Sequence, residues 1–236
     1  MEIRRFFVSQ SDIADGFVTV HGDEFSHMTR VLRYKVGFKA IVCANDGIEY
    51  ICTVCDIGRD GAKLKIDESR VADSKNVSMI LYAGLLKNNK LDFAIQKAVE
   101  LGVDRIVPFT SANCAETKFS CERANKIALE AAKQCGSAYL SEVGELCKLE
   151  NIIADIKNFD TVLFAYEGEK YHRVEDALGS EKRVALIVGP EGGFTKDEAQ
   201  RIMDAGAKSV TLGKRILRAE TASIVLSAFA LNALNK

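Results

Sequence analysis

Residues Val184 to Ala222 read VALIVGPEGGFTKDEAQRIMDAGAKSVTLGKRILRAETA, and they contain two loops that each follow a short apolar run. Val184 to Val188 is apolar throughout and is followed by Gly189 and Pro190, which predicts a buried parallel strand ending in a turn. Ser209 to Leu212 is predicted as the next strand. Because open α/β sheets bind ligands at the carboxyl ends of their strands, we expect both loops to line one site.

A helix and a cationic loop complete this segment. Thr195 and Glu198 have the T-x-x-E spacing of a capping box, in which each side chain satisfies a backbone donor at a helix start. The helix is predicted over Lys196 to Ala205, and Gly206 is predicted to end it. The loop that opens at Gly213 carries three cations, and a final apolar helix follows it.

Two adjacent glycines follow the first strand. Gly192 and Gly193 lack a Cβ atom, so main-chain groups could approach a ligand closely there. Neither a G-x-x-x-x-G-K-[ST] loop nor a G-x-G-x-x-G turn is present, which argues against a common phosphate site. The glycines suit a ligand held by main-chain edges, such as an adenosine. A simple tight turn is the alternative interpretation.

The composition indicates an ordinary globular chain with two modest domains. The chain has 236 residues, of which 47% are hydrophobic and 28% charged. The opening MEIRRFF has no apolar signal-peptide core, and the apolar run Ala222 to Leu234 is too short for a membrane span. We therefore predict a cytoplasmic protein without a membrane segment.

The seven cysteines show no disulfide framework. Cys52 and Cys55 form one C-x-x-C within an alternating run that predicts a strand, so their side chains are expected on opposite faces. No second pair or nearby histidine accompanies them, and we predict no metal site.

The net charge of −1 gives no general signal for nucleic acid, but two local windows are basic. His27 to Lys39 and Ala205 to Ala219 each contain four cations and no acid. If folding brought the windows together, they would form a basic path on a neutral protein. Solvated surface charge is the other interpretation.

The chain changes its pattern after residue 72. Residues 1–72 contain short strand-like runs separated by turn residues, which is typical of a small β-barrel. Within it, His27 to Arg33 is predicted as one or two helical turns with Met28, Val31 and Leu32 facing inward. A polar linker is predicted at Ala72 to Val77. Beyond it, strands alternate with helices, which predicts a parallel α/β sheet.

Several motifs together resemble one known family. IVGPEGGFTKDEA followed by LGKRILRAETA closely resembles the RsmE family of rRNA methyltransferases, in the SPOUT, or trefoil-knotted, superfamily. The likeness extends to RRFFV, HMTRVLRYKVG, LDFAIQKAVELGVDRIVPFTS and IALEAAKQCG. It therefore covers most of the chain, with the motifs in the expected order.

The resemblance implies an architecture and an activity. The expected fold is α/β, with a PUA-like RNA-binding β-barrel over residues 1–72 and a SPOUT methyltransferase domain with a C-terminal trefoil knot over residues 73–236. The implied reaction is methylation of N3 of a uridine in 16S rRNA, with S-adenosyl-L-methionine as cofactor. The implied partners are 16S rRNA or the assembled small ribosomal subunit, and a second copy in a homodimer through the final helix.

The same resemblance implies a set of cofactor-binding residues in the loops after three strands. They are Phe164, Ala165, Glu167, Val188, Gly189, Glu191, Gly192, Gly193, Leu212, Gly213, Ile216, Leu217, Arg218 and Thr221.

A uridine N3 is protonated at neutral pH, so a site that methylates it must remove the proton or stabilise the resulting anion. The guanidinium of Arg218 offers planar, permanently charged donors for the neighbouring carbonyl oxygens. Glu220, or Glu191, is the candidate base if its surroundings raise its basicity. Helix-terminus placement of Glu220 and a structural bond from Glu191 to loop amides are the alternative interpretations.

Candidate RNA-binding residues follow from the basic positions of the family-like motifs. They are Arg4, Arg5, His27, Arg30, Arg33, Lys214 and Arg215.

The chain departs from the family pattern at two places. Ala112 and Asn113 follow Ser111 where the family commonly has an Arg, and Ser137 follows Gly136 where another is usual. Two expected cations are therefore missing. A knotted methyltransferase acting on a ribose 2'-OH, and a non-catalytic ribosome-assembly protein, are the alternatives.

Overall fold

The computed structural model describes residues 3–73, 76–87 and 89–234. The chain forms two compact units. The first comprises Met1–Ser74 together with Ala132–Leu140, and the second comprises Lys75–Ala131 and Ser141–Lys236. The predicted linker at 72–77 contains Ser74 and Lys75, which lie outside the described residues. The domain limits at 72 and 73 stay a prediction.

The first unit is built on a six-stranded sheet that curls into a half-barrel. Its elements are β1 (Arg4–Phe7), a 3-10 turn (Gln10–Asp12), β2 (Ile13–Ala14), β3 (Phe17–His21), α1 (Gly22–Ser26), a π-helical turn (His27–Val31), β4 (Lys39–Cys43), β5 (Ile48–Ile57) and β6 (Gly61–Val71). The strand order is β1-β4-β5-β6-β3-β2, with β1 parallel to β4 and the other pairs antiparallel.

The core of this unit follows from alternation along the strands. In β3 the side chains of Val18 and Val20 are buried and those of Thr19 and His21 are exposed, as period-2 geometry requires. In β5, Cys52 is buried and Cys55 is exposed, which confirms the prediction of opposite faces.

The helical segment before β4 differs from its prediction. Met28 is fully buried as expected, but Val31 is 68% exposed, so the prediction that it faces inward is wrong. The reason is a π turn, in which the Leu32 amide donates to the His27 carbonyl five residues back. This wider turn rotates the later residues away from the face that a 3.6-residue period assigns them.

A distant stretch of the chain completes the first unit. Lys133 pairs with Glu24, and the Leu140 amide donates to Asn45 Oδ1 at 2.9 Å. Ser137 Oγ donates to the Tyr139 carbonyl at 2.7 Å, so the residue that stands where the family has a cation holds a local turn.

The second unit is a parallel α/β sheet, as predicted. Its elements are β7 (Ser78–Gly84), α2 (Lys90–Glu100), β8 (Arg105–Thr110), α3 (Cys121–Cys135), β9 (Glu142–Val143), β10 (Cys147–Lys148), α4 (Leu149–Asp155), a 3-10 turn (Ile156–Asn158), β11 (Thr161–Ala165), α5 (Val174–Ala177), β12 (Arg183–Val188), α6 (Lys196–Asp204), β13 (Lys208–Val210) and α7 (Ala219–Leu234). The strand order is β10-β8-β7-β12-β11-β13, and β9 pairs with β8.

The order of the last strands decides where the loops meet. β12 and β13 are consecutive in the chain, but β11 lies between them in the sheet. The loops after β11, β12 and β13 therefore begin side by side, at the carboxyl ends of three neighbouring parallel strands. The trefoil knot that the resemblance implies stays a prediction.

The helix between β12 and β13 confirms its sequence signals. Thr195 Oγ1 accepts from the Glu198 amide and Glu198 accepts from the Thr195 amide, which is the predicted capping box. Gly206 has φ +107°, a conformation that favours glycine, directly after the helix. Among the described residues, no helix has both the length and the apolar character needed to cross a bilayer. The cytoplasmic location stays a prediction.

Candidate functional site

A cavity of about 590 Å³ lies at the carboxyl ends of β11, β12 and β13 in the second unit. Parallel sheets place ligand sites at this edge, and the volume is that of a small-molecule site. The lining residues from the three loops include most of the predicted set: Ala165, Glu167, Val188, Gly189, Glu191, Gly193, Leu212, Gly213, Ile216, Leu217 and Arg218. The structure therefore brings together three loops that are distant in sequence.

Three predicted cofactor residues do not line the cavity. Phe164 is fully buried within the sheet, Gly192 contacts another loop, and Thr221 is exposed on α7. Phe164 supports the site indirectly, because its ring stacks on Tyr166 at 5.3 Å between centroids and meets Phe194 edge-on at 5.0 Å. Tyr166 and Phe194 do line the cavity and give it an aromatic wall.

Each of the two adjacent glycines lacks a side chain for a different structural reason. Gly193 has φ +64°, and its amide donates to the Pro190 carbonyl at 2.9 Å, so it closes a turn that favours glycine. A Cβ atom on Gly192 would lie 2.8 Å from both the Cβ and the carbonyl oxygen of Asn113. The missing side chain of Gly192 therefore admits the loop after β8, and its role in cofactor binding stays a prediction.

That loop is fastened to the glycine turn by two side chains. Asn113 Nδ2 donates to the Gly192 carbonyl at 3.1 Å. The buried carboxylate of Glu198 accepts from the Ala112 amide at 2.8 Å and from the Thr195 amide at 2.9 Å. Asn113, which stands where the family commonly has an Arg, thus holds one of the cavity loops in place.

Glu191 is engaged as an ion-pair partner. Its Oε1 accepts from Lys90 Nζ at 2.9 Å and from the Lys87 amide at 3.3 Å. Burial alone would raise the pKa of Glu191, but these two hydrogen bonds hold it below its ordinary value. A carboxylate with a lowered pKa is a poor proton acceptor, so Glu191 fits the structural interpretation rather than that of a base.

The cationic loop borders the cavity along its length. Lys214, Arg215 and Arg218 all line the cavity and are exposed, and the Arg218 carbonyl accepts from the Ala222 amide at the start of α7. Glu220 does not line the cavity, and its Oε2 is buried with no hydrogen-bond partner among the described residues. Of the candidate bases, Glu191 lines the cavity and Glu220 does not, and Arg218 lines it as predicted.

Several lining residues were not predicted from the sequence. Lys90 comes from α2, Phe194 and Thr211 directly flank predicted positions, and Glu169 lies two residues beyond Glu167, whereas Tyr166 falls within the predicted stretch Phe164 to Glu167. The flanking residues could have been found by extending each motif past its strand end, whereas nothing local marks Lys90.

The candidate RNA-binding residues of the first unit differ in accessibility. Arg4, Arg30 and Arg33 are exposed. The Arg5 side chain is 9% exposed and pairs with Glu49 Oε1 at 2.7 Å. Arg5 therefore joins β1 to the start of β5 rather than facing solvent. His27 is half-buried, and its Nδ1 is buried without a hydrogen-bond partner among the described residues.

No cluster of three or more histidine, cysteine, aspartate or glutamate side chains that could hold a metal ion occurs in the described part of the chain.

The fold and the cavity define a class of protein, and the family comparison identifies it. An RNA methyltransferase domain matches residues 73–231, and an RNA methyltransferase PUA domain matches residues 20–67. The chain therefore belongs to the RNA methyltransferase family, with a PUA-like first unit.

Individual relatives narrow the class further. The ribosomal RNA small subunit methyltransferase E of Bacillus subtilis (strain 168) is 29% identical over 240 residues, covering 94% of this chain and 93% of that protein. The protein of the same name from Mesomycoplasma hyopneumoniae (strain 232) is 35% identical over 154 residues, covering 63% and 66%. A crystal structure of that methyltransferase from Neisseria gonorrhoeae, bound to S-adenosyl methionine, is similar with a TM-score of 0.84 and 26% identity, covering 97% and 96%. The resemblance to the RsmE family is confirmed.

Proposed function

We propose that this protein methylates N3 of a uridine in 16S rRNA of the small ribosomal subunit, using S-adenosyl-L-methionine as the methyl donor. The observation that carries the proposal is the cavity at the edge of β11, β12 and β13, with an aromatic wall and three cations of one loop beside it. The names of the relatives support the rRNA substrate, and the Neisseria structure supports the cofactor.

The residues of the cavity fit that cofactor. Main-chain edges at Val188, Gly189 and Leu212 can bind an adenine edge, and Tyr166 and Phe194 can cover an apolar face. The acidic side chain of Glu167 suits a hydroxyl or an ammonium group. S-adenosyl-L-methionine supplies an electrophilic methyl group on a sulfonium and requires no metal.

Arg218 is the residue that we assign to the uridine. Its guanidinium is exposed at the cavity and can donate to a uracil carbonyl oxygen, which stabilises the anion left when the N3 proton passes to water. Holding donor and acceptor in line accounts for much of the remaining rate. We assign Lys214 and Arg215, which line the cavity on the same loop, to phosphate contacts, which position the RNA without reading its sequence.

A second copy of the chain is the proposed partner of α7. Phe229 on α7 is 39% exposed and Phe93 on α2 is 46% exposed, and these two helices pack together. Exposed aromatic side chains on two helices that pack together suit a self-complementary contact. Light scattering during size exclusion should give twice the mass of the chain at micromolar concentration, and a monomer mass would contradict the homodimer.

The direct test of the activity is mass spectrometry of rRNA from a strain that lacks the gene. We expect N3-methyluridine to disappear from 16S rRNA and to return on complementation. An unchanged level would exclude the reaction, and loss of a ribose 2'-O-methyl group instead would favour the alternative acceptor. Calorimetry with S-adenosyl-L-methionine tests the non-catalytic alternative, which predicts no binding heat.

A further inference from the structure

We infer that the turn Lys170–Arg173, beside the cavity, is a stacking platform for an unpaired base of the RNA strand that flanks the target nucleotide. The inference rests on the proposed function, because it names a binding element for the same substrate. The turn follows β11 and was not among the candidate residues from the sequence.

The main feature of the turn is an exposed aromatic ring. Tyr171 is 84% exposed. Its neighbours Lys170, His172 and Arg173 are also exposed, so the surface of the turn carries two basic side chains, an imidazole and a phenol ring. Proteins that bind single-stranded nucleic acid combine a basic track with aromatic side chains on which bases stack.

The turn is held rigidly by one carboxylate. Glu169 Oε1 accepts from the backbone amides of Lys170 and Tyr171 at 2.8 Å each and from that of His172 at 3.2 Å. Its Oε2 accepts from Ser209 Oγ on β13 and is bound to His172 Nδ1, both at 2.8 Å. A turn whose backbone is fixed in this way loses little entropy when a base stacks on the exposed ring of Tyr171.

The turn is also tied to the cavity. Glu169 and Thr211 both line the cavity, the Thr211 amide donates to the His172 carbonyl at 2.8 Å, and Arg173 forms a parallel bridge with Thr211. Ile216, in the cationic loop, lines the cavity and is itself 84% exposed. When the target base is held at the cavity, the neighbouring nucleotide therefore meets a surface that is basic and partly apolar.

The test compares Tyr171→Ala with Tyr171→Phe, which keeps the ring. The probe is a fluorescein-labelled single-stranded oligouridylate of about 12 nucleotides, within the range that such surfaces cover. We expect Tyr171→Ala to weaken binding about 5- to 100-fold, and Tyr171→Phe to stay within about twofold. The KM for 16S rRNA should rise in Tyr171→Ala, while the calorimetric affinity for S-adenosyl-L-methionine, which reports an intact fold, should not change.

A matched pair of lysines tests the charge. Lys170→Ala should reduce the slope of log affinity against log salt by about one, because one phosphate contact is lost. Lys157→Ala removes an exposed lysine that precedes the amino end of β11, whereas the turn follows the carboxyl end. This variant should leave the slope unchanged.

The outcomes separate this inference from the proposed function. If the wild type methylates 16S rRNA and Tyr171→Ala has wild-type oligouridylate affinity and KM, the platform is overturned and the activity stands. If the wild type does not methylate 16S rRNA but Tyr171→Ala still loses oligouridylate affinity, the platform stands and the proposed reaction fails.

Discussion

Replacing Glu198 by Ala should lower the free energy of unfolding and free a loop that borders the cavity, although Glu198 does not line the cavity. The Glu198 carboxylate is buried and accepts the amides of Ala112 and Thr195, so it joins the loop after β8 to the start of α6. The substitution leaves two backbone donors without their acceptor. A hydrogen bond to a charged group contributes about 1.5–3 kcal/mol, and the lower value applies because Ala112 is exposed and Thr195 is half-buried, so the two bonds together give an expected loss of about 3 kcal/mol in the free energy of unfolding.

The matched control is Asp197→Ala, one residue earlier on the same helix. The Asp197 side chain is 84% exposed and lies 4.0 Å from Arg201, so its removal should change the free energy of unfolding by less than about 0.5 kcal/mol. Urea denaturation measures both variants, and calorimetry measures their affinity for S-adenosyl-L-methionine. The reasoning is refuted if Glu198→Ala is no less stable than Asp197→Ala.

Three further perturbations test other parts of the site. Arg218→Ala should lower kcat for methyl transfer about 10²- to 10³-fold while the calorimetric cofactor affinity stays within a few fold, and equal losses in both would assign Arg218 to cofactor binding. Gly192→Val should destabilise the fold by about 1–3 kcal/mol and weaken cofactor binding, because its Cβ would meet Asn113; wild-type stability in urea would contradict this contact. Glu169→Gln should remove part of the acid sensitivity of folding. Burial opposes ionisation of Glu169, but hydrogen bonds from His172, Tyr171 and Ser209 hold its pKa well below the ordinary value, so its contribution is full above the unfolded pKa of about 4.3 and is lost as the pH falls towards the folded pKa. Equal stability of the variant and the wild type from neutral to acid pH would contradict that role.

Local signals predicted the elements of the second unit well. The capping box at Thr195, the positive φ at Gly206 and the apolar run at Val184 to Val188 are short-range properties, and the structure confirms each of them. The sequence also predicted that the loops after separate strands lie together, because the carboxyl ends of parallel strands lie on the same side of a sheet.

Features that depend on contacts distant in sequence were not predictable. Nothing near Gly192 shows that Asn113 lies against it, and nothing near Glu191 shows that Lys90 neutralises it, because both partners come from other elements. The exposure of Val31 depends on a single wide turn that binary patterning does not distinguish from an α-helix. Ala132–Leu140 joins the first unit through contacts that no local pattern encodes.

The most direct test of the central claim is a crystal structure with S-adenosyl-L-homocysteine, the product of methyl donation. We predict electron density for it in the cavity, with its adenine against Tyr166 or Phe194 and its sulfur towards Arg218. Density for the product at another place on the chain, with the loops after β11, β12 and β13 unchanged and their cavity filled only by solvent, would contradict the account.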